Sequence, residues 1–268
     1  MSEESQDIKF NNHSLQTTSD PSATILTSNI IYNNLPEKIL NLKEDSIRDG
    51  WSLADVRYSN KVITINGWLI SDSGENLKTL IDNFKNYLRP NEKNLDIETY
   101  PGSGEYIRWI ATTRAIRIPE EHWQVTQKPF EVEFLCQPFG KATTSTTINL
   151  NSGSNITTSP YSEDISITGT YDCKPIITFT IVSETNLTAL KFENDTNDDW
   201  IQVSTSFSTS DVLEIDCENE TVKLNSVNQD FTGVFPRLKP GTNSLIITTT
   251  DSGSFALTVD ITYYPTYL

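Results

Sequence analysis

The stretch DSGENLKTLIDNFKNYL, residues 72–88, decides how the first half of this 268-residue chain is read. Leu77, Leu80, Ile81, Phe84 and Leu88 recur at helical spacing, so one face of a long helix must be buried against something broad and apolar. Asp72 stands three residues ahead of Glu75 as a capping pair, and Pro90 closes the far end. Strand patterns lie on both sides of it. The helix is therefore expected at the centre of a β-structure.

Just upstream, VITINGWLI (62–70) alternates, giving Ile63, Ile65 and Leu69 a common face, while Gly67 signals a bulge or the close approach of another backbone. The polar first 35 residues hold a short strand at Ile8 and Phe10 that turns at Asn11-Asn12, and a second candidate strand, TILTSNIIY (24–32). Between residues 34 and 60 periodicity is weak, with a turn signal at Asp49-Gly50. Downstream, LDIETY (95–100) and EYIRWIATTRAIRI (105–118) flank the turn PGSG, which is hairpin grammar. In PFEVEFLCQ (129–137), Phe130, Val132, Phe134 and Cys136 point one way and Glu131 and Glu133 the other. One helix among about six strands makes an α+β domain over residues 1–140.

From 141 to 160 the text, KATTSTTINLNSGSNITTSP, is rich in Ser, Thr and Asn and nearly uncharged. A domain boundary is expected here, as a flexible linker or as an edge strand through Ile148 and Leu150. Residues 161–268 show eight short strands, near 165–167, 176–182, 190–192, 200–203, 213–217, 221–224, 245–249 and 255–263, and no helical period. That is the pattern of an all-β sandwich or jelly roll. The fold class is thus mainly β, with one long helix in the first domain.

Net charge is −16, and it is uneven: 14 Lys+Arg against 20 Asp+Glu before residue 140, and 6 against 16 after it. General affinity for nucleic-acid phosphates or anionic lipid is not expected of such a chain. No apolar run reaches a membrane span, and the start, MSEESQDIKF, has neither the basic nor the apolar region of a signal peptide. Cys136, Cys173 and Cys217 are odd in number and widely spaced, which fits a reducing compartment better than a disulfide framework or a zinc site. In that setting the sequons at Asn155, Asn186, Asn194 and Asn219 carry no meaning.

No nucleotide, hydrolase or metalloprotease motif is present; GSG at 102–104 follows a proline and reads as a turn. His13 and His122 are the only histidines, and His122 beside Glu120 and Glu121 has no nucleophile paired with it. Glu131 and Glu133 read as the outer side of a half-buried strand instead of a catalytic carboxylate pair. Asp195, Asn197 and Asp199 begin like a calcium loop, but Trp200 replaces its glycine and Ser206 its closing glutamate, so a hairpin turn is expected. No catalytic, cofactor-binding or metal-ligating residue is assigned, and no cofactor.

The phrase GVFPRLKPGTNSLII (233–247) resembles the G-x-F-P-x-L-x-P-G-x-N-x-I signature of siphophage distal tail proteins, the Dit family. Its Pro and Gly fix a turn that the Asn243 side chain can lock. GTYDCKPIITFTI (169–181) and LEIDCENETVKLNS (213–226) are similar to two further segments of that family, with Ser226 where a glycine is frequent. RDG (48–50), ITINGWL (63–69), the helix and FEVEFLCQPFG (130–140) follow in the family's order. The resemblance implies a split-barrel-like first domain that closes a homo-hexameric ring and a galectin-like sandwich on its periphery. It also implies partners: the tail tube protein on one side, a tail-tip protein on the other, receptor-binding proteins at the hub, and genome DNA passing through the lumen without specific binding. The implied place is the phage virion, after assembly in the host cytoplasm. Ring contacts would draw on strand edges and aromatic anchors such as Trp51 or Trp68, and the helix face bearing Lys78, Asp82, Lys85 and Asn86 could meet a neighbour. The alternative is a carbohydrate-binding module. Trp51, Trp68, Trp109 and Trp123 lie in the first half and only Trp200 in the sandwich, whose single arginine is Arg237 and which has no histidine.

Overall fold

A computed structural model describes residues 6–17, 20, 22–32, 34–44, 51–119, 125–250 and 253–268. The chain divides into two compact units, Met1–Thr143 and Thr144–Tyr267. His122 with Glu120 and Glu121, Trp123, residues 48–50 and the Trp51 side chain lie outside the described residues.

The first unit contains β1 (Ile8–Phe10), β2 (His13–Ser14), β3 (Thr24–Ile31), β4 (Lys38–Glu44), β5 (Trp51–Tyr58), β6 (Lys61–Ile70), α1 (Gly74–Leu88), β7 (Lys93–Glu98), β8 (Tyr106–Arg117), β9 (Gln127–Cys136) and β10 (Gly140–Ala142). Asn11 and Asn12, at φ 50° and 65°, make the tight turn that joins β1 to β2, a conformation Asn tolerates better than most residues. The antiparallel main sheet runs β2-β1-β7-β8-β9-β6-β3, and β10 adds to β8 through Lys141↔Arg108 and Ala142↔Ile107. Directly after β2, Thr17 bridges Ile25 of β3 by two backbone hydrogen bonds of 2.8 and 3.0 Å. The two ends of the sheet are therefore tied together, and the sheet curls around its apolar face. Inside lie Ile8, Phe10, Ile63, Ile65, Leu69, Val132 and Phe134, all fully buried.

Gly67 accounts for both readings of its position. A Cβ there would stand 2.3 Å from the Leu26 carbonyl oxygen and 2.6 Å from the Phe130 ring, and the facing strand bulges between Thr27 and Asn29. α1 buries Leu77, Leu80, Phe84 and Leu88, with Phe84 tilted on Phe130 at 4.8 Å between centroids. Its cap differs from the expected Asp72–Glu75 pair. Ser73, in extended conformation, accepts the Asn76 backbone N–H on its Oγ, and Asp72 instead accepts from the Asn76 side-chain amide at 2.7 Å. The helix starts at Gly74 because Ser73 is the last extended residue with an oxygen within reach of the free N–H groups.

The weakly periodic stretch forms a hairpin, β4 with β5, that is a two-stranded sheet of its own. Alternation is missing there because apolar residues face out on both sides: Ile39 and Leu40, neighbours in β4, are each about half exposed. None of the hairpin's described side chains enters the core.

The second unit contains β11 (Thr146–Asn149), β12 (Tyr161–Ile167), β13 (Ile176–Glu184), β14 (Ala189–Asn194), β15 (Asp199–Ser204), β16 (Val212–Asp216), β17 (Thr221–Leu224), β18 (Val227–Asn228), β19 (Thr232–Gly233), β20 (Gly241–Thr250) and β21 (Phe255–Tyr263). They form two antiparallel sheets, β11-β21-β13-β16-β17-β18 and β12-β20-β14-β15-β19. All eight strand regions read from the alternation are present. Residues 146–149, within the Ser- and Thr-rich stretch, run along β21 as an edge strand, followed by a 3-10 turn that buries Leu150. Between the sheets lies one core that includes Ile177, Phe179, Ile181, Phe192, Ile201, Val203, Leu257 and Val259. The whole is mainly β with one α-helix among the described residues.

Candidate functional site

In the second unit, polar chemistry converges on the turn that leads into β20. Asn243 is fully buried, and its side chain does what a backbone segment would do. Its Oδ1 accepts the Lys239 backbone N–H at 2.9 Å, and its Nδ2 donates to the Lys239 carbonyl at 2.7 Å and to the Gly241 carbonyl at 3.2 Å. Gly241, at φ 88°, supplies the left-handed step of that turn. The same Oδ1 accepts from the Nδ2 of Asn194, also fully buried, at 3.0 Å, and Asn194 Nδ2 donates as well to the Arg237 carbonyl at 2.7 Å. Asn194 heads a sequon, and its amide nitrogen is taken up in this network.

The calcium-like residues belong to the other side of the lock. Asn194 pairs with Asp199 across β14 and β15, so residues 195–198 are the expected hairpin turn. Asp199 Oδ2 accepts the Arg237 backbone N–H at 3.3 Å and the Asn197 amide at 2.8 Å, and Asn197 donates also to the Arg237 carbonyl at 2.9 Å. These groups hold a peptide segment; among the described residues none forms a cluster of three or more His, Cys, Asp or Glu able to hold a metal ion.

Beyond the lock, residues 227–237 pass from the last strand of one sheet to the last strand of the other. Val227, Phe231 and Val234 are exposed, and Phe231 meets Phe235 edge-on at 4.8 Å. Gly233, at φ 102°, lies against Trp200 so tightly that a Cβ would stand 2.2 Å from the Trp200 carbonyl oxygen. Lys191 sits over the Trp200 ring at 5.1 Å, so the sandwich's one tryptophan is engaged by its own chain.

In the first unit, Glu131 and Glu133 are met by Arg117, with Arg117 Nη1 at 2.9 Å from Glu133. This is a cross-strand ion cluster on the outer face of β8 and β9, where Val132 and Phe134 take the inner face. His13 stacks on Tyr87 at 4.1 Å. Trp109 is fully buried beneath Lys61, which lies 5.2 Å from its ring, so it offers no surface; Trp68 is half-buried at the rim of a cleft of about 340 Å³ with Pro129, Phe130 and Arg117. Burial pushes the Lys61 ammonium below its usual pKa and the neighbouring Cys136 thiol up to about 12. Asp7, Lys9 and Tyr106 form a triad: Lys9 Nζ is 2.8 Å and the Tyr106 hydroxyl 2.7 Å from Asp7 Oδ2. Burial works against the Asp7 carboxylate, but hydrogen bonds from Lys9 and Tyr106 prevail and hold its pKa below the ordinary value. Lys78, Asp82, Lys85 and Asn86 are exposed on α1.

A family model described as the C-terminal domain of a siphovirus-type tail component matches residues 168–267. Residues 168–267 thus resemble the C-terminal domain of a siphovirus-type tail component. The Pro-Gly-x-Asn turn and its Asn194 partner lie within that match. Among solved structures, the crystal structure of the Dit protein of phage SPP1, described as a paradigm of the hub adsorption apparatus in phages infecting Gram-positive bacteria, is similar over 98% of this chain and 100% of that one, at 11% identity and a TM-score of 0.69. A chain of the phage p2 baseplate in its activated conformation with strontium matches over 96% of this chain and 98% of that one, at 10% identity and a TM-score of 0.42. No curated protein sequence matches. The resemblance to the distal tail proteins is borne out, in sequence by the family model over the second unit and in fold over nearly the whole chain. Tail components of this type are parts of the virion.

Proposed function

We propose that the chain is a distal tail protein whose amino-terminal unit closes a six-membered ring between the tail tube and the tail tip, with the sandwich unit presented for further proteins of the tip. The observation that carries this reading is the fold shared with SPP1 Dit from end to end, together with the family match over the second unit. The protein acts by assembly and not by catalysis.

The first unit has surfaces suited to subunit contact. An isolated two-stranded hairpin is marginal in water, yet β4 and β5 pair with no strand of their unit's main sheet and leave Ile39, Leu40 and Val56 exposed. A contact between this hairpin and a different patch of the next copy is heterologous, which is the kind that closes rings. The Lys78 and Lys85 face of α1 is a second candidate contact. Most of the net negative charge lies in the second half, with 6 Lys+Arg against 16 Asp+Glu, so it serves the solubility of the second unit more than a passage for DNA.

Single-particle electron micrographs and light scattering on the purified protein test this. A closed ring of six is expected, and Leu40→Asp is expected to reduce it to monomers while the fold survives, since Leu40 is about half exposed. A monomer at all concentrations, or a ring indifferent to Leu40→Asp and to Lys78→Glu with Lys85→Glu, would count against these contacts.

A further inference from the structure

We infer that residues 227–237 form a docking ribbon for an extended apolar segment of a different protein, a segment that carries one carboxylate to meet Arg237. The inference goes beyond the ring and does not depend on it.

Four observations converge. First, β18 and β19 are the end strands of their respective sheets, and each is only two residues long, so this side of the sandwich ends in short edges whose outer backbone groups have no strand beside them. An open edge can accept an added strand, and where the edge is only two residues long the exposed side chains around it must supply most of the affinity. Second, apolar exposure gathers there: Val227 is 63%, Val234 54% and Phe231 39% exposed, within eight residues of one another.

Third, the ribbon is held in place before anything binds. Gly233 is pressed onto Trp200, Val234 donates its N–H to the Trp200 carbonyl at 2.8 Å, and the Arg237 backbone is fixed by Asp199, Asn194 and Asn197. Little order must be gained on binding, which favours affinity.

Fourth, Arg237 is alone. Residues 144–267 contain 5 Lys+Arg against 16 Asp+Glu. Lys174, Lys191 and Lys223 each meet a carboxylate, and Lys239 donates to the Thr196 carbonyl. Among the described residues, the Arg237 guanidinium has no partner, although its unit holds three times as many acids as bases. An unpaired arginine beside exposed aromatic and aliphatic side chains is the composition of a binding hot spot. Its complement is a carboxylate, which the guanidinium takes in bidentate fashion. The rest of the partner segment must be uncharged or basic, because a strongly acidic one would be repelled by the unit's own charge. The same repulsion disfavours a second copy of this chain as the occupant.

The test is selection of a random peptide library on the full-length protein, followed by calorimetry on the enriched peptides. Expected are peptides with apolar residues at alternate positions around one Asp or Glu, otherwise free of acids. Arg237→Gln should weaken them at least about tenfold, and Val234→Asp or Phe231→Ser should abolish binding. Arg237→Glu should regain affinity for the same peptide with Lys in place of the acid. Unchanged circular dichroism and melting confirm that these exposed substitutions leave the fold intact. The inference is overturned if no peptide is enriched, if the enriched peptides lack the acid, or if binding ignores these substitutions. It is also overturned if sedimentation shows self-association that Val234→Asp removes. Because ring closure is scored separately in micrographs, loss of the ring and loss of peptide binding are distinct results.

Discussion

Replacing Asn243 by alanine should cost far more than removal of one polar side chain usually does. The side chain is fully buried and makes four hydrogen bonds, to the Lys239 N–H and carbonyl, to the Gly241 carbonyl and to Asn194 Nδ2. Asn194 keeps its bond to the Arg237 carbonyl, and the Gly241 bond is the longest of the set at 3.2 Å. That leaves the Lys239 N–H and carbonyl as the groups stranded without a partner. At about 1–3 kcal/mol for each unsatisfied group the two come to about 2–6 kcal/mol, and because Lys239 is only half-buried the loss is expected in the lower part of that range, about 2–3 kcal/mol. Domains of this size are stable by about 5–15 kcal/mol, so the substitution removes a large share. Urea titration of the full chain, read by a probe of the second unit such as hydrogen exchange in β14 and β20, should show the midpoint fall accordingly. The matched control is Asn228→Ala, at an exposed site, which should stay within about 0.5 kcal/mol. A loss under about 1 kcal/mol for Asn243→Ala would refute the reasoning, since it would mean that the turn keeps its shape or finds other partners without the amide.

Further outcomes follow from other sites. Gly67→Ala should destabilise the first unit by about 3 kcal/mol, seen as a lowered melting temperature or loss of soluble protein, because the added carbon meets the Leu26 carbonyl at 2.3 Å and the Phe130 ring at 2.6 Å. Ser73→Ala should cost about 1 kcal/mol by removing the helix cap, and Asp72→Ala less. Burial opposes the charge of Glu98, but the backbone N–H groups of Asp7 and Gly104 prevail and hold its pKa below the ordinary value; Asp7 is lowered too. Both groups then contribute stability that is present above their unfolded-state values and is lost as pH falls below about 4, so acid unfolding of the first unit should be less steep in Glu98→Gln. Cys136, Cys173 and Cys217 are all buried, and burial pushes the Cys136 and Cys217 thiols up to about 12. Alkylation at pH 8 should therefore be silent in the native protein and complete in denaturant.

Much of the fold is legible because its causes are local. Alternation in residues 62–70 and 129–137 follows from a pleat with one buried face, and both strands bury the predicted side. Asn11-Asn12 and Pro240-Gly241 read as turns because their backbone conformations suit few other residues. The β4–β5 hairpin is illegible for the converse reason: with Ile39 and Leu40 both facing outward, no buried face imposes a period. Asp72 is the nearer match to a capping pattern, yet Ser73 takes the cap, since a shift of one residue in the helix start is settled by geometry and not by residue type.

The sequence by itself determined the mainly β architecture, the single long helix, and the resemblance that the family match later bore out. It also showed that Asn243 could lock its turn. That the lock has a second half, Asn194, was decided only by tertiary structure, because residues 49 apart meet solely when β14 pairs with β20. The same holds for the tie between Thr17 and Ile25 that curls the first sheet, and for the Arg237 guanidinium's having no partner among the described residues. Which charge lacks a partner depends on where every other charge has been placed, and long-range strand pairing makes that placement.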